Sequence, residues 1–175
     1  MTETPLEEAK KYINPEKEVN TAEDALNGAK DILAESVSDN ADFRTHIREL
    51  TMKHGQLLSA AKDPEAESVY EMYYEFSESL SKLAGHRILA ISRGEKEKFL
   101  TVKIDAPVDR ILSYLDRKLI TAPSAPTAAV LHEVTEDAYN RLIAPAIERE
   151  IRSDLFEKAE DGAIRVFGKN LEQLL

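Results

Sequence analysis

The densest set of chemically versatile side chains lies in the stretch HRILAISRGEKE at 86 to 97, where His86, Arg87, Arg93, Glu95 and Glu97 crowd together. Guanidinium groups clamp phosphate oxygens with paired N–H donors, an imidazole carries a proton near neutral pH, and carboxylates accept one. Together they would suit a phosphoester or acid–base site in which His86, Arg87 and Arg93 act on a phosphorylated substrate. The plainer reading has His86 and Arg87 tying neighbouring helices while the rest face water. Lys96 and Lys98 extend the run of cations, so His86, Arg87, Arg93, Lys96 and Lys98 also read as a contact for nucleic acid or for another domain.

Other chemistries find little support. The chain has no cysteine, which removes disulfides, thiolate zinc sites and a cysteine nucleophile. None of the four histidines (His46, His54, His86, His132) has a glutamate three positions before it, and His-Glu-x-x-His does not occur. Gly-x-Gly-x-x-Gly, the Walker loop and Gly-x-Ser-x-Gly are missing as well. Tyr70, Tyr73 and Tyr74 could stack on bases, but aromatic residues at helical spacing usually build a core. The expectation is therefore no catalytic residue, no cofactor, no metal and no small-molecule substrate.

Charge is unevenly placed. The net charge of −10 argues against a phosphate-binding surface, yet residues 1–80 hold 8 Lys+Arg against 18 Asp+Glu while residues 81–175 hold 15 of each. Residues 82–118 carry nine basic side chains against five acidic ones, enough for a locally positive face. The acidic first half, with Glu7, Glu8, Glu23 and Asp24, would suit docking on a basic partner such as a polymerase or ribosome surface.

These side chains need elements to hold them, and the pattern is mainly helical. Thr4-Pro5 with Glu7 and Glu8 starts a helix that Asn14-Pro15 stops. Thr21 with Asp24 opens another, with Leu26, Ala29, Ile32, Leu33 and Val37 on its apolar face. Asp39 or Asn40 caps a third, with Phe43, Ile47 and Leu50 on one stripe and Gly55 at the left-handed C-terminal cap. Asp63-Pro64 predicts a helix carrying Val69, Tyr70, Tyr73, Tyr74 and Phe76, with a short turn after Ser77. HRILAISR admits a helix closed at Gly94 or the first arm of a hairpin, with the helix favoured. Phe99 to Ile104 alternates as a strand, and Gln56 to Ala61 would pair with it.

Asp105-Ala106-Pro107 starts a helix with Val108, Ile111, Leu112, Leu115 and Leu119 along one side. Residues 122–126, with two prolines, form a loop and a candidate sub-boundary. From 127 onward the pattern stays helical, interrupted at Pro145. After it, Ile147, Ile151, Leu155, Ala159, Ala163, Val166, Asn170 or Leu171, and Leu174 hold one stripe to the end without a stop signal, as in a piece of a longer protein. The fold class is thus mainly α, a multihelical domain with at most one short two-stranded β element and a long C-terminal helix after a proline break. No apolar run suggests a membrane span or a signal peptide, so a cytoplasmic protein with no membrane partner is expected.

Four stretches carry a family resemblance: AEDALNGAKDILAE (22–35), HRILAISRGEKE (86–97), EDAYNRLIAPAIEREIR (136–152) and AIRVFGKNLEQLL (163–175). Together, in order and over nearly the whole chain, they resemble the N-terminal helical region of Tex, the bacterial transcription accessory family related to a eukaryotic transcription elongation factor. The resemblance implies that residues 1–175 are one Tex-like region, without the RNase H-like, helix-hairpin-helix and oligonucleotide-binding domains that follow in the family. It also implies a non-catalytic scaffold whose partners are those remaining domains, RNA or DNA bound through them, and the transcription machinery. No catalytic residue is carried over from the family.

Overall fold

The computed structural model describes residues 22–175. The predicted helix between Pro5 and Asn14 and the cap at Thr21 lie outside the described residues. The chain divides into two compact units, one of Met1–Ile47 and Val108–Ala146, the other of Arg48–Pro107 and Ile147–Leu175. The mainly helical class holds. Among the described residues, the helices are α1 (Ala22–Asp39), α2 (Ala41–His54), α3 (Gly85–Lys96), α4 (Val108–Leu119), α5 (Ala128–Asp137) and α6 (Ala144–Leu174). Three strands, β1 (Gln56–Ala61), β2 (Glu75–Ser79) and β3 (Leu100–Asp105), form one antiparallel sheet in the order β2-β1-β3. None of the described helices is long and apolar enough to cross a membrane.

In the first unit, α1 packs on α5 and on the π turn Ala138–Ile143, and α4 packs on α5. Asn40 ends α1 and begins α2: its Oδ1 accepts the Phe43 N–H at 3.1 Å, removing one of the unpaired donors of a helix start. The buried face of α1 is Ala25, Ala34, Val37 and Ser38, whereas Ile32 stays 69% exposed. The expected stripe through Leu26 and Leu33 is therefore rotated toward the small side chains, which permit the closest approach. Ile111 and Leu115 of α4 are fully buried, as their spacing predicted. The π turn directly precedes Pro145, and the Ala144 N–H reaches back five residues to the Tyr139 carbonyl. A wider turn there removes the clash between the proline ring and a preceding carbonyl, so the predicted break is a change of winding.

The second unit is built on the sheet. β1 pairs with β3 as expected, Ser59 opposite Val102 and Ala61 opposite Leu100. The sheet also has a strand more than the sequence indicated, because β2 pairs with the other edge of β1, Ser59 opposite Phe76. The predicted helix after Asp63-Pro64 does not form. Asp63 spends its carboxylate on the Glu65 N–H at 3.0 Å, closing a turn, and the tyrosines follow it as anchors. Tyr74 Oη donates to the Ala66 carbonyl at 2.6 Å, and the buried Ser59 Oγ donates to the Tyr73 carbonyl at 2.6 Å. Tyr70 and Tyr73 are buried, so they serve the core rather than a stacking surface.

Two glycines in this unit act through size. Gly55 is not left-handed, contrary to the cap predicted for it, and no described glycine has a positive φ. A β-carbon at Gly55 would lie 2.4 Å from the Thr51 carbonyl oxygen and 3.2 Å from that of Asp105. Gly94 lies within α3 instead of ending it, and a β-carbon there would sit 2.5 Å from Leu100 Cδ1. The helix runs on to Lys96, and Lys98 takes the left-handed turn with φ 69°. The Lys98 N–H bonds the Glu95 carbonyl at 3.0 Å and the Phe99 N–H bonds the Gly94 carbonyl at 2.9 Å, a Schellman closure.

Candidate functional site

Helix α3 carries four of the five candidate contact residues and Lys98 follows its last turn. Its buried face is Ile88, Ile91 and Gly94. At about 100° per residue, His86 and Arg93 fall on nearly one line, Lys96 lies beside them, and Arg87 points well away from that line. His86, Arg93, Lys96 and Lys98 are exposed. Arg87 is held against the sheet: its Nη1 lies 3.2 Å from Glu78 Oε2, and its guanidinium carbon lies 5.6 Å from the centre of the Phe76 ring. The phosphate clamp of His86, Arg87 and Arg93 is not assembled. Arg87 is committed to β2, His86 borders a groove against α6, and Arg93 lines no part of that groove.

The two carboxylates in this stretch are also committed. Glu95 pairs with Arg152 of α6, and Glu97 accepts a hydrogen bond from Tyr70. Burial, followed by the bond to Glu97, raises the Tyr70 phenol above its ordinary pKa, while Arg93 pulls weakly the other way. Among the described residues, Arg93, Lys96 and Lys98 carry no ion pair, and with Glu95 neutralised by Arg152 only the exposed carboxylate of Glu97 opposes them, so this end of α3 has an excess of positive charge. The Lys62 N–H bonds the Phe99 carbonyl at 3.0 Å, which adds a further exposed lysine next to Lys98. Sequence reasoning missed Lys62, the pairing of Glu95 with Arg152 and the bond from Tyr70 to Glu97. These partners lie tens of residues apart along the chain, where helical periodicity carries no signal.

The basic run 82–118 is divided. Lys82, Arg87, Arg93, Lys96, Lys98 and Lys103 belong to the second unit, whereas Arg110, Arg117 and Lys118 lie on α4 in the first. Around Pro145, Arg141 makes an intrahelical pair, with two bonds to Asp137 at 3.0 and 2.8 Å. Glu150 and Arg152 instead reach other elements, Glu150 lying 3.1 Å from Arg48 and Arg152 joining Glu95.

A different cluster stands in the first unit. His132 Nδ1 lies 2.7 Å from Asp116 Oδ2, its Nε2 lies 3.1 Å from Glu136 Oε1, and Thr135 Oγ1 donates to Asp116 Oδ1 at 2.7 Å. The bond to Asp116 and that carboxylate's charge hold the imidazole above its ordinary pKa. Among the described residues, no group of three or more His, Asp or Glu is arranged to hold a metal ion.

A groove of about 660 Å³ runs between the first turn of α3 and the outer half of α6. Gly85, His86 and Leu89 line one side, and α6 lines the other from Lys158 to Asn170. The buried stripe of α6 is Ile147, Ile151, Leu155 and Ala159. Beyond it, Ile164, Val166, Phe167, Leu171 and Leu174 are all exposed, Phe167 by 65%.

Comparison with known proteins gives these features a context. Residues 1–167 match the family model described as Tex central region-like. The chain is 49% identical to the Bacillus subtilis protein named Uncharacterized protein YdcI over 95% of its own length and 24% of that relative. It is 36% identical to Protein tex of Bordetella pertussis, covering 95% of this chain and 23% of the relative. The human S1 RNA-binding domain-containing protein 1 is 32% identical, over 94% and 18%. The chain thus spans about a quarter or less of the length of these curated relatives. The family description names a central region where the resemblance was to an N-terminal one, but the family is the same. This chain is a helical region belonging to the Tex family.

Proposed function

We propose that this chain is a non-catalytic helical scaffold of a Tex-family transcription accessory protein, which binds nucleic acid mainly through parts outside these 175 residues. The observation that carries this reading is the stripe of α6. Its apolar spacing continues past Ala159, but its burial stops there, leaving Ile164, Val166, Phe167, Leu171 and Leu174 facing solvent. An apolar helix face of this kind marks a surface that another element covers. The length of the relatives and the S1 RNA-binding domain in the name of one of them support placing both the cover and the main nucleic-acid contacts elsewhere in such a protein. His86, Arg93, Lys96 and Lys98 form an accessory contact for a polyanion or a neighbouring domain, and Arg87 holds α3 on the sheet.

The test is binding of the 175-residue chain to single-stranded RNA and to DNA at physiological salt, followed by anisotropy. Weak, micromolar or looser binding is expected from a chain of net charge −10. Submicromolar affinity with a steep salt dependence, lost on combining Arg93→Ala, Lys96→Ala and Lys98→Ala, would contradict the scaffold reading.

A second reading, docking on a basic protein partner, is favoured by the outer face of α1, where Glu23, Glu35 and Asp39 are exposed. It predicts that Glu23→Lys with Glu35→Lys abolishes capture of transcription machinery by this chain. The scaffold reading predicts no change.

A further inference from the structure

We propose that His132 is a proton-operated clasp that holds the first turns of α5, and with them the proline-containing connection 120–127, on α4. The imidazole stands between two carboxylates on different elements. Its Nδ1 lies 2.7 Å from Asp116 Oδ2 of α4, and its Nε2 lies 3.1 Å from Glu136 Oε1, one turn further along α5. A neutral imidazole has a single N–H, so it can donate to only one of these groups and must turn a lone pair toward the other. The imidazolium has two N–H donors and satisfies both.

The clasp matters because little else fixes the start of α5. None of residues 128–133 is buried, and burial begins with Val134 and Thr135. Thr127 supplies no side-chain cap. On the α4 side the polar attachment converges on one group: Asp116 takes His132 on one oxygen and the Thr135 hydroxyl, at 2.7 Å, on the other. Thr135 is fully buried and carries no titrating group. It therefore keeps the middle of α5 in place over the range in which the imidazole titrates, and leaves His132 to govern the exposed turns before it.

The surroundings favour the proton. From α4 the charge facing the ring is Asp116, since Arg117 Nε is turned to the Ser113 carbonyl and Lys118 lies over the Tyr114 ring. From α5 it is Glu136 and, at longer range, Glu133. α1, packed on the other side of α5, contributes Lys30, paired with Glu133 at 2.8 Å, and Asp31. The π turn contributes Arg141, held by Asp137. The bond to Asp116, then that carboxylate's charge, raises the His132 pKa, and Glu136 adds to the effect against the cost of desolvation. The clasp is thus fully closed below the ordinary imidazole value and opens as pH rises through the raised one. Glu136 is the carboxylate given up, because Asp116 is both nearer and less exposed.

The experiment follows amide hydrogen exchange of the 175-residue chain between about pH 5.5 and 8.5, each rate divided by that of an unstructured peptide at the same pH. We expect protection of residues 129–133 to fall at least about threefold across this range, while Ile111 and Leu115 of α4 and Ile143 of the π turn keep theirs. His132→Gln should hold residues 129–133 at the lower protection throughout. Asp116→Asn should move the midpoint of the fall to lower pH, and Glu136→Gln should move it less far, the order in which the two carboxylates act on the ring. Nitrogen NMR shifts of the ring should show both nitrogens protonated at the acidic end and Nδ1 alone at the alkaline end. Protection that ignores pH in the parent, a fall that persists in His132→Gln, or a midpoint that neither carboxylate variant moves would overturn the proposal.

Discussion

Lys98 shows how much a single residue carries here. It occupies a left-handed turn that an L side chain adopts at a cost, and a glycine stands four residues before it without using its own freedom. Lys98→Gly should therefore stabilise the chain by about 1 kcal/mol, read as a higher denaturant midpoint with an unchanged slope. Gly94→Ala and Gly55→Ala should each cost about 1–3 kcal/mol, because a methyl group must displace Leu100 in one case and meets the Thr51 carbonyl in the other. His132 adds a pH signature. Since Asp116 raises its pKa in the folded chain, the stabilisation is fully present below the ordinary imidazole value and is lost as pH rises through the raised one. Thermal unfolding should show His132→Gln less stable than the parent at about pH 5.5, with the difference closing by about pH 8.5.

Among the elements, those with a long, regular period were legible in the sequence. Ile111 and Leu115 define the inner face of α4, Asn40 marks the junction of α1 and α2, and the alternation in β3 together with its pairing to β1 follows from Val102 and its neighbours. The failures share a cause. The stretch from Tyr70 to Phe76 has helical spacing, but Tyr70 bonds Glu97 and packs on Phe99, the Tyr73 carbonyl takes the Ser59 hydroxyl, and these partners outside any such helix outweigh local preference. The candidate site was legible as a concentration of charge. It was not legible as a surface, because the charge balance of α3 depends on Arg152, 57 residues away, neutralising Glu95. Within α6, backbone hydrogen exchange should be slow through Ile151 and Leu155 and faster beyond Ala159, where side-chain burial ends.

For the whole chain, composition alone pointed to an acidic protein unsuited to nucleic acid, while the structure shows cations gathered on one helix and an apolar end left open. Exposed apolar side chains of this extent should bind a hydrophobic reporter dye. Phe167→Ser with Leu171→Ser should reduce that signal strongly while changing stability by less than about 0.5 kcal/mol, because neither side chain is buried. Loss of stability in that variant would mean that the outer half of α6 already has a partner within the chain.

Gly85 meets α6 at Ala159, where a β-carbon would lie 3.4 Å from the Ala159 Cα. Alanine would just fit at that spacing, and any longer side chain would have to push α6 aside. The contact is a fulcrum, with roughly 20 Å of helix extending past it. A bulky residue at position 85 would therefore swing the tip of the rod through a far larger arc than the displacement at the pivot, without altering a single residue of α6.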